Sequence, residues 1–134
     1  MKFLALLLFL LAGPAFAQAP PITCDTTANY AASTTGLTQI VALNGTARIY
    51  VCSFIINVGA TATNVGLSYG TGTNCASGTG VLIPPLTLPI NGLVVYGRDT
   101  GNAIQTPVGN ALCVSASAAN PVVVSVQYSQ DPGM

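Results

Sequence analysis

The sequence has no histidine, no glutamate and no tryptophan, and its 134 residues include only three basic and three acidic side chains. Each absence removes a class of function. General acid–base catalysis relies on histidine or on a carboxylate pair with tuned pKa values. The carboxylates here are Asp25, Asp99 and Asp131, which fall in turns or near the ends and read as solvated residues. Asp25 and Asp131 would form a dyad only if the two ends of the chain met. The serines have no histidine or lysine base to activate them. A calcium site needs several clustered oxygen ligands, usually carboxylates, and three scattered aspartates do not supply them. The composition predicts a protein that is not an enzyme and holds no cofactor or metal.

Charge is equally sparse after the first residues. Beyond Lys2 the cations are Arg48 and Arg98. There is no basic footprint for nucleic acid and no polybasic patch for anionic lipid. A surface with so little charge must be covered by Thr, Ser, Asn, Gln and Gly. Near-zero net charge also removes the repulsion that keeps copies apart, so self-association is expected. Disorder is not, because it requires low hydrophobicity and high net charge.

The N-terminus has the anatomy of a secretory signal peptide. Met1-Lys2 is a positive start, Phe3 to Ala12 is an apolar run, and Ala15-Phe16-Ala17 is a small-x-small cleavage site. The run is too short to span a bilayer, which takes about 20 apolar residues. No later run is longer. The expectation is a leader over 1–17 and one secreted domain over 18–134, periplasmic, cell-surface or extracellular, with no membrane attachment after cleavage.

All four cysteines, Cys24, Cys52, Cys75 and Cys113, follow that site. An even count in an exported chain reads as disulfides. Zinc sites need ligand pairs two to four residues apart, and these cysteines are far more widely spaced. Three pairings are possible.

The rest of the chain reads as strands. TQIVAL and TARIYVCSFII flank Asn44-Gly45, a strong hairpin signal. The same residues, with Thr46, match a glycosylation sequon, but a turn explains them. On the second arm Tyr50, Cys52, Phe54 and Ile56 share one face, and Ile49, Val51, Ser53 and Ile55 the other. Both faces are largely apolar, so this strand is expected to be central, covered on both sides and to hold a buried Cys52. Ala62 to Tyr69 and Gly92 to Tyr96 are further strands. Val81 to Leu88 contains Pro84-Pro85 and suits an edge or a crossing loop. In NALCVSAS, Leu112, Val114 and Ala116 face one way and Cys113 the other. In PVVVSVQYS, Val122, Val124, Val126 and Tyr128 share a face. Gly97 to Asn102 reads as a turn, and 18–36 and 130–134 as loosely held ends. No segment has a sustained helical period with caps. The class is all-β: a single antiparallel β-sandwich, jelly-roll or Ig-like, of about seven or eight short strands.

One stretch invites a different reading. Tyr69 to Gly80 is YGTGTNCASGTG. A Walker loop requires G-x-x-x-x-G-K-[ST], and there is no lysine after Lys2. A dinucleotide loop requires G-x-G-x-x-G between a strand and a helix, but Cys75 stands where the third glycine would be and no helix follows. The structural reading remains: Gly70, Gly72, Gly78 and Gly80 allow positive φ, and Cys75 pins the loop to a strand. Such an anchored loop can be a contact surface. Tyr69, Thr71, Thr73 and Asn74, with Tyr96, are the candidate contacts for a glycan or host protein. Tyr30, Tyr69 and Tyr96 flank loops, whereas Tyr50 and Tyr128 occupy core-type strand positions.

The segments TQIVALNGTARIYVCSFII, VGLSYGTGTNCASGTG and GNALCVSASAANPVVVSVQYSQ together resemble a loose family of small β-sandwich proteins encoded by tailed bacteriophages and prophages, of virion-structural type. The resemblance covers most of residues 37–130 and is most specific where YGTGTNC is matched with GNALC. It implies a sandwich fold and a structural or surface-decorating role, with partners that are copies of the chain or a larger surface assembly. It carries over no catalytic or binding residue. With the placement of the strands, it favours the pairings Cys24–Cys52 and Cys75–Cys113. The leader departs from the family pattern: either the chain is an exported relative of envelope or surface type, or the segment is processed in another way.

Overall fold

The computed structural model describes residues 22–32, 34–97, 104–118 and 122–131. The expected leader and the turn residues Arg98 and Asp99 lie outside them. Nine strands run through the described residues: β1 (Thr26–Ala32), β2 (Gly36–Val41), β3 (Arg48–Val58), β4 (Thr63–Thr71), β5 (Ser77–Leu88), β6 (Leu93–Gly97), β7 (Ile104–Gln105), β8 (Ala111–Ala116) and β9 (Val122–Asp131). One 3-10 turn, Thr73–Cys75, joins β4 to β5.

The strands form two antiparallel sheets, ordered β1-β9-β3-β6, with β7 also beside β3, and β2-β8-β4-β5. The pairings are nested. β4 pairs with β5, β3 with β6 and β7, β2 with β8, and β1 with β9. The chain is thus one long hairpin with its tip at Thr73–Cys75, rolled so that successive pairs fall in alternate sheets. That is the jelly-roll arrangement, and it decides between the two sandwich types expected from the sequence.

Packing follows the alternation of side chains. Val122, Val124 and Val126 of β9 are buried, and Val123 between them is exposed. They meet Ile49, Val51, Phe54, Ile56 and Val58 of β3, and from the other sheet Val65, Leu67, Leu112 and Val114. β-branched residues suit the pleat because their stiff side chains pack well on it. Each such buried side chain contributes about 1.5–3 kcal/mol relative to exposure.

Four expectations need correction. The Asn44-Gly45 segment is not a hairpin, since β2 and β3 lie in opposite sheets. The turn forms, with Ala47 N–H donating to the Asn44 carbonyl at 2.9 Å and Gly45 at φ 54°, but it is a corner between sheets. Residues 26–32, read as part of a loose end, form β1, an edge strand whose small side chains gave no hydrophobic alternation. It is held by its ladder to β9 from Thr26↔Tyr128 to Ala32↔Val122. The β9 strand likewise extends through residue 130 to Asp131. Finally, β3 is central but not covered on both sides. A bulge places Cys52 out of register between Val51↔Tyr128 and Ser53↔Gln127. The inward set therefore changes from Ile49 and Val51 to Phe54, Ile56 and Val58. Ile55 is left 45% exposed, and Cys52 is half-buried.

The edge strand β5 bends where its two prolines oppose one residue. Val65 pairs with Leu86 and Leu67 with Ile83, so Pro84-Pro85 arches over Gly66. A Cβ on Gly66 would meet the Ile83 carbonyl oxygen at 2.7 Å. Gly66→Ala is expected to cost about 1–3 kcal/mol through overpacking against backbone, read as a lower midpoint in denaturant unfolding.

Two disulfides, Cys24–Cys52 and Cys75–Cys113, close loops with sequence separations of 28 and 38. Each contributes about 3–4 kcal/mol on the loop-entropy scale. The first ties the approach to β1 to β3. The second ties the hairpin tip to β8, and both of its cysteines are fully buried. Exchange requires access of the attacking thiolate. Under mild reduction without denaturant, Cys24 and Cys52 are expected to be alkylated before Cys75 and Cys113, which peptide mass mapping will show.

Candidate functional site

The hairpin tip is built inward. Gly72 has φ 72°, and Asn74 and Cys75, neither of them glycine, have φ 53° and 57°. This left-handed pair turns the chain back so that Cys75 reaches Cys113, and the two pack with Ala111 and Leu37 in a small cluster of their own. The Asn74 side-chain oxygen accepts the Gln39 backbone N–H at 3.1 Å, clamping the tip to β2. The Thr79 hydroxyl donates to the Cys75 carbonyl, and the Thr71 hydroxyl to that of Ser77 at 3.3 Å. The expectation for the four glycines holds for Gly72 and Gly78, which have positive φ. Gly70 and Gly80 serve close approach instead. A Cβ on Gly80 would collide with the Tyr69 ring, which lies across it.

The candidate contact residues therefore divide. Thr73 and Asn74 are exposed at the tip, and Tyr69 and Thr71 are half-buried on β4 beside it. Tyr96 belongs to the other sheet, where it stacks on Phe54 with ring centroids 5.0 Å apart and an interplanar angle of 14°. It packs against the core and is not part of the loop surface. Tyr128 is half-buried and packs against the core as expected, whereas Tyr50, though half-buried, stands opposite Ser129 on the outer face, because the Cys52 bulge separates it from Phe54 and Ile56; Tyr30 is 36% exposed on β1.

A second surface had no motif to announce it. The registers of the first sheet place its outward residues beyond the Cys52 bulge in three rows. Thr27, Gln127, Ser53 and Gly97 form one, Asn29, Ser125, Ile55 and Val95 the next, and Ala31, Val123, Asn57 and Leu93 the third. No charged side chain occurs among them. Val95 is 65% exposed, Leu93 57% and Val123 49%. Within the first row the Ser53 hydroxyl donates to Gln127 Oε1 at 2.8 Å. A shallow depression of about 310 Å³ lies between Ser53, Ile55, Val95, Gly97 and Gln127. The surface is legible in sequence only once the Cys52 bulge is known, because the bulge sends Ile55 outward.

Among the described residues the charged side chains stand outside these three rows, with Arg48 and Asp131 on the same outer face on the other side of the bulge. Asp25 is exposed and accepts the Thr26 hydroxyl at 3.2 Å, and Asp131 lies opposite Arg48 at the end of the β3–β9 ladder. Among the described residues no three Cys, His, Asp or Glu side chains group to hold a metal, and no helix is long and apolar enough to cross a membrane. No buried side-chain nitrogen or oxygen among them is without a partner. Thr106 illustrates this. It is fully buried past the end of β7, where its hydroxyl accepts the Ile49 N–H at 3.1 Å and its own N–H donates to the Ile49 carbonyl at 3.0 Å. Neither known protein families nor curated proteins provide a match to this chain.

The tip tests itself through Asn74. Replacing it with alanine removes the bond to Gln39 and forces an alanine into the left-handed region, whereas glycine removes only the bond. Asn74→Ala is expected to be less stable than Asn74→Gly by about 1 kcal/mol, measured by chemical denaturation of the oxidised proteins.

Proposed function

We propose that the protein is a secreted, non-enzymatic structural subunit, which assembles with copies of itself or decorates a larger surface of phage, prophage or cell-envelope origin. The observation that carries this reading is the part of the outer face of the β1-β9-β3-β6 sheet beyond the Cys52 bulge, which is partly apolar and carries no charged side chain. Its exposed Ile55, Leu93, Val95 and Val123 stand on neighbouring strands, and grouped apolar exposure on a rigid face marks an interaction surface. The near-absence of charge in the chain removes the main opposition to contact between copies. Two disulfides suit an oxidising compartment, in keeping with the leader. The jelly roll is used in both shell-forming and glycan-binding domains, so the fold by itself does not choose between them.

The alternative is a module that contacts a glycan or host surface protein through the hairpin tip. Thr73 and Asn74 are exposed there. However, the Asn74 oxygen is taken up by Gln39 and the Tyr69 ring by Gly80, which leaves few free groups for a ligand. Residues 18–134, exported and kept oxidised, are expected to run as a defined oligomer in size-exclusion chromatography with light scattering. A monomer at every accessible concentration, with no association with particles or cell surfaces, overturns the proposal.

A further inference from the structure

We infer that the assembling contact is the free edge of β6, and that its occupant is the β6 of a second copy, paired antiparallel about a two-fold axis through Val95. The inference rests on the self-assembly reading above and identifies its surface.

The backbone specifies what kind of group can sit there. β6 has one strand neighbour, β3. Its other edge carries N–H and C=O groups with no ladder partner among the described residues, and an extended strand is what satisfies such a row. The other edges are less suited. β5 carries Pro84-Pro85, and proline blunts an edge. The Gln39 N–H of β2 is already taken by the Asn74 side chain. β1 presents Thr27, Asn29 and Ala31 on the outer face, and none of these is a large apolar anchor. Among the described residues β5 also exposes an apolar side chain, Val81, but on the strand that its proline pair bends, whereas β6 joins a proline-free edge to two, Leu93 and Val95.

The strand is also complementary to itself. Its sequence is LVVYG. Antiparallel pairing about Val95 sets Val95 against Val95, Val94 against Tyr96, and Leu93 against Gly97. The Val–Tyr pair is the aromatic and β-branched combination that stabilises cross-strand neighbours. Among the described residues nothing requires Gly97 to be glycine, since its φ is not positive and an added Cβ would meet none of them within 4 Å. In the pair, its open side receives the Leu93 side chain of the second copy. No charge occurs in the strand, so the two-fold brings no like charges together. The result is a closed, isologous contact that continues the outer face from one copy into the next.

The test uses the full exported protein in oxidised form. The wild type is expected to be a dimer by light scattering. Val95→Lys places two like charges opposite each other and is expected to weaken dimerisation more than about tenfold. Because Val95 faces solvent, the melting temperature of the monomer should not fall. In the paired register two Val95 Cα atoms lie within disulfide reach. Oxidised Val95→Cys should therefore give a covalent dimer, and Thr27→Cys on β1 should not. If the wild type is oligomeric and Val95→Lys leaves its mass unchanged, the β6 contact is wrong while self-assembly stands. Crosslinking by Thr27→Cys instead, or by neither variant, also overturns the contact. A wild-type monomer at all concentrations overturns both this inference and the reading beneath it.

Discussion

The register at the hairpin tip is the constraint on which the other pairings depend. β4 returns as β5 through a short connection whose left-handed residues, Asn74 and Cys75, are not glycines. Every later pair is nested outside this one. A one-residue slip at the tip would reverse the facing of side chains in the strands that follow. Three contacts oppose such a slip. The Cys75–Cys113 bond anchors the tip to β8, the Asn74 side chain binds β2, and the Tyr69 ring lies across Gly80. A stretch that resembles a nucleotide loop in composition is thus the part of the chain that sets the geometry of the rest.

Several register shifts adapt this rolled hairpin to a closed sandwich, and two of them are bulges that redirect a strand. At Cys52 the extra residue in β3 reverses its alternation, so that the apolar run IYVCSFII supplies the core from both of its halves. At Pro84-Pro85 the edge strand arches over Gly66. A bulge bends its strand and strengthens the local twist, which helps a short two-layer structure close over a small core. The first bulge has a surface consequence as well. It turns Ile55 outward beside Val95, and so adds to the apolar, charge-free part of the outer face on which the proposed assembly rests.

The same economy of charge shapes both stability and function. With few ionic groups to position, the described residues rely on aliphatic packing, satisfied hydroxyls such as Thr106, and two covalent links. A surface of Thr, Ser, Asn and Gln hydrogen-bonds to water without charge, and it sets up no electrostatic barrier to another copy. In such a protein the choice of contact falls to shape and to backbone edges.

Local pattern determined much by itself. Period-two alternation placed the core valines of β9 and the inward side of β8. The proline pair limited Val81 to Leu88 to an edge or a crossing loop, and cysteine number and strand placement, with the resemblance, led to both disulfides. Those features are written within a few residues of where they act. What only the tertiary structure decided was partnership. Asn44-Gly45 has the chemistry of a hairpin turn and forms a turn, but the strands it joins bond to β8 and β9 far along the chain. β1 has almost no hydrophobic pattern, and exists because β9 offers it a ladder. Tyr96 flanks a loop in sequence and packs on Phe54 in space. The outer face could not be read at all until the Cys52 bulge set its register. The physical reason is that side-chain alternation encodes which way a residue faces relative to its own strand, whereas pairing is settled by closing the whole roll, and residues distant in sequence carry that information jointly.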